Sequence, residues 1–269
     1  MAANPGRILV FIPMYNCAAQ ISRVLATFDA RAGQVIERVI VVNNRSTDGG
    51  EQVAIHAIEQ LKGMDGLVLR NDDNYGLGGS HKVAFAHAIE NDFDYVVVLH
   101  GDDQGRLADM LDFIEAGQHT AVDALLGARF HPDSTLQGYS AFRTFGNGVF
   151  NRLFSAVAGM RMHDLGSGLN MYNVELLRDQ FYKGFPDDLT FNYCMSLAHA
   201  HHRHSVQFIP ILWREDDQIS NVRLFSQAQR VLKMLGQYSL NSDSFLATDH
   251  RLNQREAYTA QVVGSNLDA

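Results

Sequence analysis

Short apolar runs alternate with amphipathic segments through the first half of the chain. The runs are rich in β-branched residues and are followed by polar or turn-forming residues, a pattern typical of buried strands. They cover residues 8–12, 39–42, 67–69, 95–99 and 124–127. Between them, apolar residues recur about every 3.6 positions, as amphipathic helices require. Strands and helices in this order predict right-handed crossovers and an α/β fold with a mostly parallel central sheet and flanking helices.

The pattern changes after residue 129. A polar loop is predicted at 130–141, a strand at 205–211 and an amphipathic helix at 222–240, which forms a helical C-terminal extension. The later residues are polar with few apolar positions, so we expect them to pack weakly or fray. The predicted units are one domain over 1–240, whose halves lie at about 1–128 and 129–240, and a polar tail over 241–269.

One further helix is predicted at 142–161. Its apolar residues share one face, and polar residues occupy other positions. Core packing or a partner protein is favoured over a membrane surface for this apolar face, because a membrane-surface helix needs a basic polar face and some exposed apolar area, and the sequence shows only part of this. The residues of this face are Phe145, Val149, Leu153, Phe154 and Val157, and the polar positions include Arg143, Asn147, Asn151 and Arg152.

Composition narrows the classes of function. The 269 residues carry a formal net charge of −8, which argues against a nucleic-acid partner because such proteins need a basic face. No stretch approaches the roughly 20 apolar residues of a membrane-spanning helix, and we see no secretory signal. Cys17 and Cys194 form no metal motif and give little reason to expect a disulfide. We expect a cytoplasmic protein; peripheral association with the inner face of a membrane and homo-oligomer formation are left open.

The most informative residues follow the fourth apolar run. Asp102, Asp103 and Gln104 come directly after His100 and Gly101. In open α/β sheets the carboxyl ends of the strands bind ligands, and carboxylate and amide oxygens suit a hard cation such as Mg²⁺ or Mn²⁺ that holds phosphates. A solvated acidic turn accounts for the same residues equally well. These residues therefore predict either a metal and phosphate site or an acidic loop.

Two other strand ends carry candidate ligand contacts. Pro13 and Tyr15 follow the first run, where an aromatic ring could stack on a base. The second run is followed by Asn43, Asn44 and residues 45–50, whose side chains could bind a base or a ribose. Ordinary turn chemistry also explains the asparagine, serine and aspartate residues of that segment.

The order of these motifs carries more information than any one of them. The chain has Pro-x-Tyr-Asn at 13–16, Ser-Thr-Asp-Gly at 46–49, Asn-x-Gly with further glycines at 74–79, and the acidic strand end at Asp102. This order resembles the family 2 glycosyltransferases of GT-A fold, over about residues 7–235.

Within that family, the chain is most similar to the branch of polyprenyl-phosphate sugar transferases such as dolichyl-phosphate mannose synthase. Residues 127–129, Arg143 and residues 164–168 carry this closer likeness. Residues 213–221 resemble a segment of bacterial members that build surface glycans.

The resemblance implies a site for a nucleotide-sugar donor. Pro13 and Tyr15 would contact the base, the glycines after the third strand would let the backbone approach the nucleotide closely, and Asp102 with Gln104 would hold Mg²⁺ or Mn²⁺. The nucleotide-binding residues that it implies are Pro13, Tyr15, Asn43, Asn44, Ser46, Asp48, Gly76, Gly78, Gly79, Lys82, Gly101 and Asp102.

Two residues depart from the family pattern. Asn43 stands where most members have an aspartate that bonds the base, and His100 replaces the first aspartate of the DxD motif. We interpret both as altered nucleotide contacts with the metal retained. An inactive relative is the alternative.

The resemblance also implies inverting transfer by direct displacement. An acceptor hydroxyl needs a general base, whereas an acceptor phosphate is already anionic. Asp188 is the first choice for the base and Asp187 the second, and a helix N-cap is the alternative role. Asp164 could orient the acceptor, and Asp217 is another acidic candidate. Phosphate or acceptor contacts are expected from Arg129, Arg143, Ser167 and Arg214, and surface arginines are the alternative.

The predicted function is transfer of a sugar from a nucleoside-diphosphate sugar, with UDP favoured, to a polyprenyl-phosphate or glycan acceptor in surface polysaccharide or glycoconjugate synthesis. The main alternative is a non-catalytic nucleotide-sugar-binding relative that acts as a scaffold in a glycan-assembly complex. A nucleotidyltransferase or a dinucleotide-dependent oxidoreductase fits less well, because no glycine-rich phosphate loop follows the first strand. The histidines at 199, 201, 202 and 204 are interpreted as a solvated helix end rather than a zinc site.

Overall fold

The computed structural model describes residues 5–216 and 224–267 of the chain. Ten strands and eight α-helices occur in these ranges. The strands are β1 (Ile8–Met14), β2 (Arg38–Asn43), β3 (Asp65–Asn71), β4 (Tyr95–Leu99), β5 (Ala124–Ala128), β6 (Thr135–Gln137), β7 (Leu169–Asn173), β8 (Val206–Pro210), β9 (Leu212–Arg214) and β10 (Ala260–Ser265). The helices are α1 (Ala18–Leu25), α2 (Gly50–Glu59), α3 (Gly76–Glu90), α4 (Leu107–Glu115), α5 (Ala141–Ala158), α6 (Phe191–His201), α7 (Leu224–Leu240) and α8 (Ser242–Ala247). None of the helices in these ranges combines the length and the apolar content needed to cross a bilayer.

Eight of these strands form one sheet in the order β10-β3-β2-β1-β4-β7-β5-β8. The neighbours β3, β2, β1 and β4 run parallel, as do β5 and β8. Strand β7 lies antiparallel between β4 and β5, and β10 is antiparallel to β3. The two remaining strands, β6 and β9, pair with each other. The mostly parallel sheet with flanking helices confirms the predicted α/β architecture.

Apolar side chains fill both faces of the sheet, because alternate residues of a strand point to opposite sides. In β1, Ile8, Val10 and Ile12 belong to the core that includes residues of α1, α2 and α4. Leu9 and Phe11 belong to the core that includes residues of α3, α6 and α7. A strand that is buried on both faces appears in the sequence as a continuous apolar run, and this explains why the first four strands could be predicted.

The residues after 240 belong to the fold, so the expectation that they pack weakly or fray is wrong for 241–267. Helix α8 buries Phe245, and β10 extends the sheet beside β3. The Gly66 amide donates a hydrogen bond to Asn266 Oδ1 at 2.7 Å. The sparse apolar residues misled the prediction, because an edge strand is held largely by backbone hydrogen bonds that its side chains do not reveal.

The helix predicted at 142–161 is α5, and most of its apolar face lies outside the core. Of the residues on the predicted face, Phe154 is buried. The other residues of that face, Phe145, Val149, Leu153 and Val157, are exposed. Core packing is therefore the wrong explanation for this face, and a binding partner for it stays a prediction.

Gly76 and Gly78 lie where residues 186–188 cross the start of α3. The Gly78 amide donates to the Asp187 carbonyl oxygen at 2.7 Å. A Cβ at Gly78 would lie 2.3 Å from the Pro186 carbonyl oxygen, and one at Gly76, whose φ is +72°, would lie 2.4 Å from the Asp187 carbonyl oxygen. Glycine is required because the two backbones are in direct contact.

Gly78→Ala should lower the free energy of unfolding by about 1–3 kcal/mol, because the added methyl group must displace the backbone at Pro186. Urea denaturation measures this loss. Gly236→Ala in α7 is the matched control, since a Cβ at Gly236 meets no atom of the described residues within 4 Å. It should be neutral or stabilise the protein by about 0.5–1 kcal/mol. Equal destabilisation in both variants would contradict the close contact.

Candidate functional site

The carboxyl ends of β1 and β4 meet at one edge of the sheet. The Gly101 amide donates to the Pro13 carbonyl oxygen at 3.2 Å, and a Cβ at Gly101 would approach the same oxygen to 3.0 Å. Tyr15, just beyond Pro13, is half exposed. The contact places Asp102 beside the end of β1, at the edge where parallel sheets bind ligands.

The residues after β2 use their hydrogen-bonding groups within the loops. Asn43 is buried, and its Oδ1 accepts from the Ser46 amide at 2.9 Å while its Nδ2 donates to Glu51 at 2.7 Å. The Asp48 carboxylate accepts from the Ala18 amide at the start of α1 at 2.8 Å. Turn chemistry therefore accounts for Asn43 and Asp48, and their contact with a nucleotide stays a prediction.

Asparagine and serine side chains join the loops after β1, β2 and β3 into one rim. Asn44 Nδ2 donates to Asn74 Oδ1 at 2.8 Å, and Asn44 Oδ1 accepts from the Tyr75 amide at 2.8 Å. Ser46 Oγ accepts from the Asn16 amide at 3.0 Å. The loops that would surround a nucleotide are thus held to one another before any ligand binds.

Asp102 and Asp103 lie in the turn that follows β4. One oxygen of Asp102 accepts from the Gln104 amide at 3.3 Å, and burial raises the pKa of this carboxyl to about 6 because the charged form loses its hydration. Asp103 has a left-handed φ of +60°. Its carboxylate accepts from Arg23 at 2.8 Å and from Arg214 at 3.2 Å. The turn therefore concentrates two carboxylates and two guanidinium groups.

His100 is a neutral residue at the start of this turn. Burial, with a smaller effect of Arg129, lowers the pKa of its imidazole to about 4. The ring packs so closely on Gly168 that a Cβ there would lie 2.6 Å from the His100 Cγ. Its Nε2 is shielded from solvent and has no hydrogen-bond partner among the described residues. His100 therefore adds no negative charge beside Asp102, where the family pattern has an aspartate.

The side chains at this turn fit a divalent cation in combination with a phosphorylated ligand. Asp102 and Gln104 supply oxygen donors of the kind that Mg²⁺ and Mn²⁺ prefer. Within 5–216 and 224–267, no group of three His, Cys, Asp or Glu side chains could hold a metal ion by itself. Mg²⁺ is commonly bound by one or two carboxylates together with substrate phosphates. A cation at Asp102 and Gln104 would complete its coordination with donor phosphate oxygens and water.

Arg129 and Asp164 form a buried ion pair. Arg129 Nε and Nη2 each donate to a different oxygen of Asp164 at 2.8 Å. Burial alone would lower the pKa of Arg129, but the charge of Asp164 and its hydrogen bonds together outweigh this effect and raise the pKa. Ser167 is also buried, and its Oγ donates to the Leu169 carbonyl oxygen at 3.2 Å. Contact of these three residues with an acceptor would require new hydrogen-bond partners, and it stays a prediction.

Two more of the predicted arginines, Arg214 of β9 and Arg143 of α5, connect to the Asp102 turn. The Arg214 amide donates to the Gln104 carbonyl oxygen at 3.0 Å, so β9 lies along the Asp102 turn. Arg143 of α5 donates to both carboxylate oxygens of Glu215, at 2.7 and 2.6 Å. These contacts connect α5 to the turn through Glu215 and Arg214.

Lys82 binds residues 185–187 rather than projecting into solvent. Its Nζ donates to Asp187 Oδ1 at 2.7 Å and to the Phe185 carbonyl oxygen at 2.6 Å. The Tyr258 hydroxyl donates to the same Asp187 oxygen at 2.7 Å. Burial lowers the pKa of Lys82, and Asp187 partly offsets this effect. Lys82 thus holds the segment that Gly76 and Gly78 approach, and contact of these residues with a nucleotide stays a prediction.

Asp188 lies just before α6. Its Oδ1 accepts from the Thr190 amide at 2.8 Å and from the Thr190 hydroxyl at 2.5 Å, and its Oδ2 accepts from Arg230 of α7. The Asp188 side chain is 39% exposed and that of Asp187 is 19% exposed. Asp188 is therefore the more accessible of the two candidates for the base, and it also binds an amide at the start of a helix. The other acidic candidate, Asp217, lies outside the described residues.

The interpretation of the histidines at the end of α6 as a solvated helix end is wrong for His199. His199 is completely buried, and its ring stacks on Tyr172 of β7 with the ring centroids 5.7 Å apart. Its Nδ1 lies 3.0 Å from the His204 Nδ1. Burial lowers the pKa of His199 to about 3, so the ring is neutral. The prediction failed because this helix end packs against β7, a strand that is absent from the sequence-based elements.

Three residues that bind the candidate carboxylates Asp103, Asp188 and Asp187 are not among the residues predicted from the sequence. Arg23 is 80 positions from Asp103, Arg230 is 42 positions from Asp188, and Tyr258 is 71 positions from Asp187. No local spacing connects such partners. The only signal for them is general, namely that a buried carboxylate needs a hydrogen-bond donor.

Asp164→Asn should lower the free energy of unfolding by about 3–5 kcal/mol, because Arg129 stays buried without its counter-charge. Urea denaturation of the variant measures this loss. The double variant Arg129→Met/Asp164→Leu removes both charges and should recover most of the stability. A loss below about 1 kcal/mol for Asp164→Asn, together with a loss of activity, would instead favour direct contact of Asp164 with the acceptor.

Three solved structures share this fold. Mannosyl-3-phosphoglycerate synthase from Rubrobacter xylanophilus is 13% identical, with 96% of this chain and 86% of that chain covered at a TM-score of 0.58. TarS residues 1–349 from S. aureus, in complex with UDP-GlcNAc, is 18% identical, with 90% and 70% covered at 0.57. A mannosyltransferase from Pyrobaculum calidifontis, in complex with GDP-Man and Mn²⁺, is 18% identical, with 90% and 72% covered at 0.54.

Sequence comparison identifies the family. Curated protein sequences give no significant match to the chain. The family model described as glycosyl transferase family 2 matches residues 9–181, and this range contains the ends of β1, β2 and β4 together with the Asp102 turn. Because the match covers more than half of the chain, the protein belongs to glycosyl transferase family 2.

Proposed function

We propose that the protein is an inverting, metal-dependent glycosyltransferase. It moves a sugar from a nucleoside-diphosphate sugar to a polyprenyl-phosphate or glycan acceptor, in the synthesis of surface polysaccharide or another glycoconjugate. The observation that carries this proposal is the position of Asp102 and Gln104 beside the end of β1, in a member of glycosyl transferase family 2.

The donor would bind along the rim formed by the loops after β1, β2 and β3. The half-exposed Tyr15 ring is available to stack on the base, and Pro13 lies next to the last residue of β1. The nucleotide and Mn²⁺ in the Pyrobaculum complex, and UDP-GlcNAc in the TarS complex, support a nucleotide-sugar donor and a divalent cation. We favour UDP as the nucleotide.

The reaction is a single displacement at the anomeric carbon. The acceptor oxygen forms a bond to that carbon while the bond from the carbon to the donor phosphate oxygen breaks, and the electron pair leaves with the nucleoside diphosphate. Bound Mg²⁺ or Mn²⁺ would offset the charge that develops on the diphosphate. Asp102 and Gln104 would hold the diphosphate end in place through this cation, and the neutral His100 adds no charge that would repel the leaving group.

The proton of a hydroxyl acceptor would pass to Asp188, because its carboxylate is the more exposed of the adjacent pair. Asp187 is the second candidate, and Asp164 would orient the acceptor from its pair with Arg129. A phosphate acceptor would need no base. The phosphate oxygens would accept hydrogen bonds from Arg129, Arg143, Arg214 or Ser167, in place of the partners that these side chains have now.

The same proposal places the protein in the cytoplasm. When the acceptor is a polyprenyl phosphate, the protein would act at the inner face of the membrane, because the lipid resides there. Assembly into a homo-oligomer stays an untested prediction.

A non-catalytic relative that binds nucleotide-sugars within a glycan-assembly complex is the second candidate. It is favoured by His100, since a buried neutral ring occupies the position where the family pattern has an aspartate. The two candidates differ in turnover: the relative would bind the donor without releasing nucleoside diphosphate with any acceptor or with water.

A thermal-shift panel of UDP, GDP, CDP and dTDP, with and without Mn²⁺, tests the donor site. One diphosphate with Mn²⁺ should raise the unfolding midpoint, by about 2–4 °C for each kcal/mol of binding free energy. Asp102→Ala should abolish the shift that depends on Mn²⁺. Asp133→Ala, which changes a carboxylate that is 79% exposed, is the control and should retain it. No metal-dependent shift with any of the four diphosphates would overturn the proposed donor site.

Release of nucleoside diphosphate from the donor tests the base, in the presence of a glycan acceptor and, separately, of a polyprenyl phosphate. With a hydroxyl acceptor, Asp188→Asn should lower kcat by about 10²–10⁴-fold, whereas with a phosphate acceptor it should have little effect. Arg230→Gln removes the same ion pair but keeps the carboxylate, so it is the matched control. If the hydroxyl acceptor is the substrate, equal losses in the two variants would assign Asp188 a structural role instead.

A further inference from the structure

Helix α5 differs from an ordinary surface helix, because most of its large apolar side chains face outward. Its buried residues are Asn151 and Phe154. A stripe of large apolar side chains faces outward, with exposed fractions of 76% for Phe142, 70% for Phe145, 37% for Val149, 41% for Leu153 and 37% for Val157. At about 100° per residue, these five side chains fall within an arc of roughly 120°. We call this set the α5 stripe; contiguous apolar surface of this kind marks an interaction site.

The Asp, Glu, Lys and Arg positions of the α5 segment are all occupied by basic residues. Residues 134–163 contain no aspartate or glutamate, but they contain Arg143, Arg152 and Arg161, in a chain whose formal net charge is −8. Arg143 is paired with Glu215, whereas Arg152 and Arg161 are exposed. On the helical projection, Arg152 lies about 20° beyond the edge of the stripe. An apolar stripe bordered by basic side chains is the pattern of a helix that lies in the interface of an anionic membrane.

The α5 stripe is also connected to the candidate active site. Arg143, near the start of α5, binds Glu215. Arg214, the residue before Glu215, binds Asp103 in the Asp102 turn. Helix α5 and the Asp102 turn are thus joined through two ion pairs, Arg143–Glu215 and Arg214–Asp103.

We infer that the α5 stripe, with Arg152 and Arg161, docks the protein on anionic lipid. The apolar side chains enter the boundary between headgroups and acyl chains, and the two arginines remain at the level of the lipid phosphates. This inference deepens the proposed function by assigning the surface that meets the membrane. Its relevance to a lipid-phosphate acceptor rests on that proposed function. A second copy of the chain fits the stripe less well, because a two-fold contact would bring the same positive charges together.

Sedimentation with lipid vesicles tests the inference. The wild-type protein should bind vesicles that contain about one third phosphatidylglycerol and bind those of phosphatidylcholine alone much more weakly, because each nearby basic residue strengthens binding to an anionic surface about fivefold. Phe142→Ser/Phe145→Ser should weaken binding to the anionic vesicles by at least about tenfold. Arg152→Glu/Arg161→Glu should do the same by removing the attraction. Leu252→Ser, which changes an apolar residue that is 84% exposed on the C-terminal segment, should bind like the wild type.

All the substituted positions are exposed, so the unfolding midpoints should match that of the wild type, and a matching midpoint shows that a binding loss is not a folding loss. Absence of wild-type binding to anionic vesicles would overturn the inference, as would unchanged binding by both double variants. A wild-type dimer that Phe142→Ser/Phe145→Ser converts to a monomer, with no vesicle binding, would assign the stripe to self-association instead. The nucleotide panel separates the two proposals: vesicle binding without any diphosphate shift removes the proposed donor site alone, and a shift without vesicle binding removes the docking surface alone.

Discussion

The backbone contact between the ends of β4 and β1 determines the rest of the site. The Gly101 amide donates to the Pro13 carbonyl oxygen, and a Cβ at Gly101 would lie 3.0 Å from that oxygen, closer than an ordinary van der Waals contact. Because β4 ends against β1 in this way, the turn with Asp102 emerges beside Tyr15 rather than farther along the sheet. The Gln104 carbonyl oxygen of the same turn then accepts from the Arg214 amide, so the position of β9 follows from the position of the turn.

A second contact joins the C-terminal residues to the site. Tyr258 and Lys82 both bind one oxygen of Asp187, and the next residue, Asp188, binds Arg230 of α7. The family match ends at residue 181, so the partners that position this aspartate pair come largely from outside the matched range. Strand β10 and its pairing with β3 therefore also help to position the aspartate pair, because they anchor the segment that carries Tyr258.

The strands that are buried on both faces could be predicted from the sequence, and several others could not. Strands β1, β2 and β4 appear as apolar runs because both cores require apolar side chains. Strand β7 contains the buried Asn170, whose Nδ2 donates to the Ser167 carbonyl oxygen at 3.0 Å, and this polar residue interrupts the pattern. At the site, Asp102 could be found because it follows a strand directly. Its surroundings could not, because Arg23 and Tyr258 reach their carboxylates across distances in sequence that no local periodicity spans.

The pairing of charges at the site explains why an acidic protein would depend on a cation to bind a diphosphate. Arg129, Arg143 and Arg214, the three predicted phosphate ligands, are each bonded to a carboxylate, namely Asp164, Glu215 and Asp103. A phosphate must compete with these carboxylates for the arginines. A divalent cation would instead bring two positive charges, of which the Asp102 carboxylate would offset one. With Asp102 as its single carboxylate ligand and a neutral His100 beside it, such a cation would keep one net positive charge. A donor diphosphate would supply the negative charge that such a cation still lacks, so cation and donor would bind together rather than in sequence.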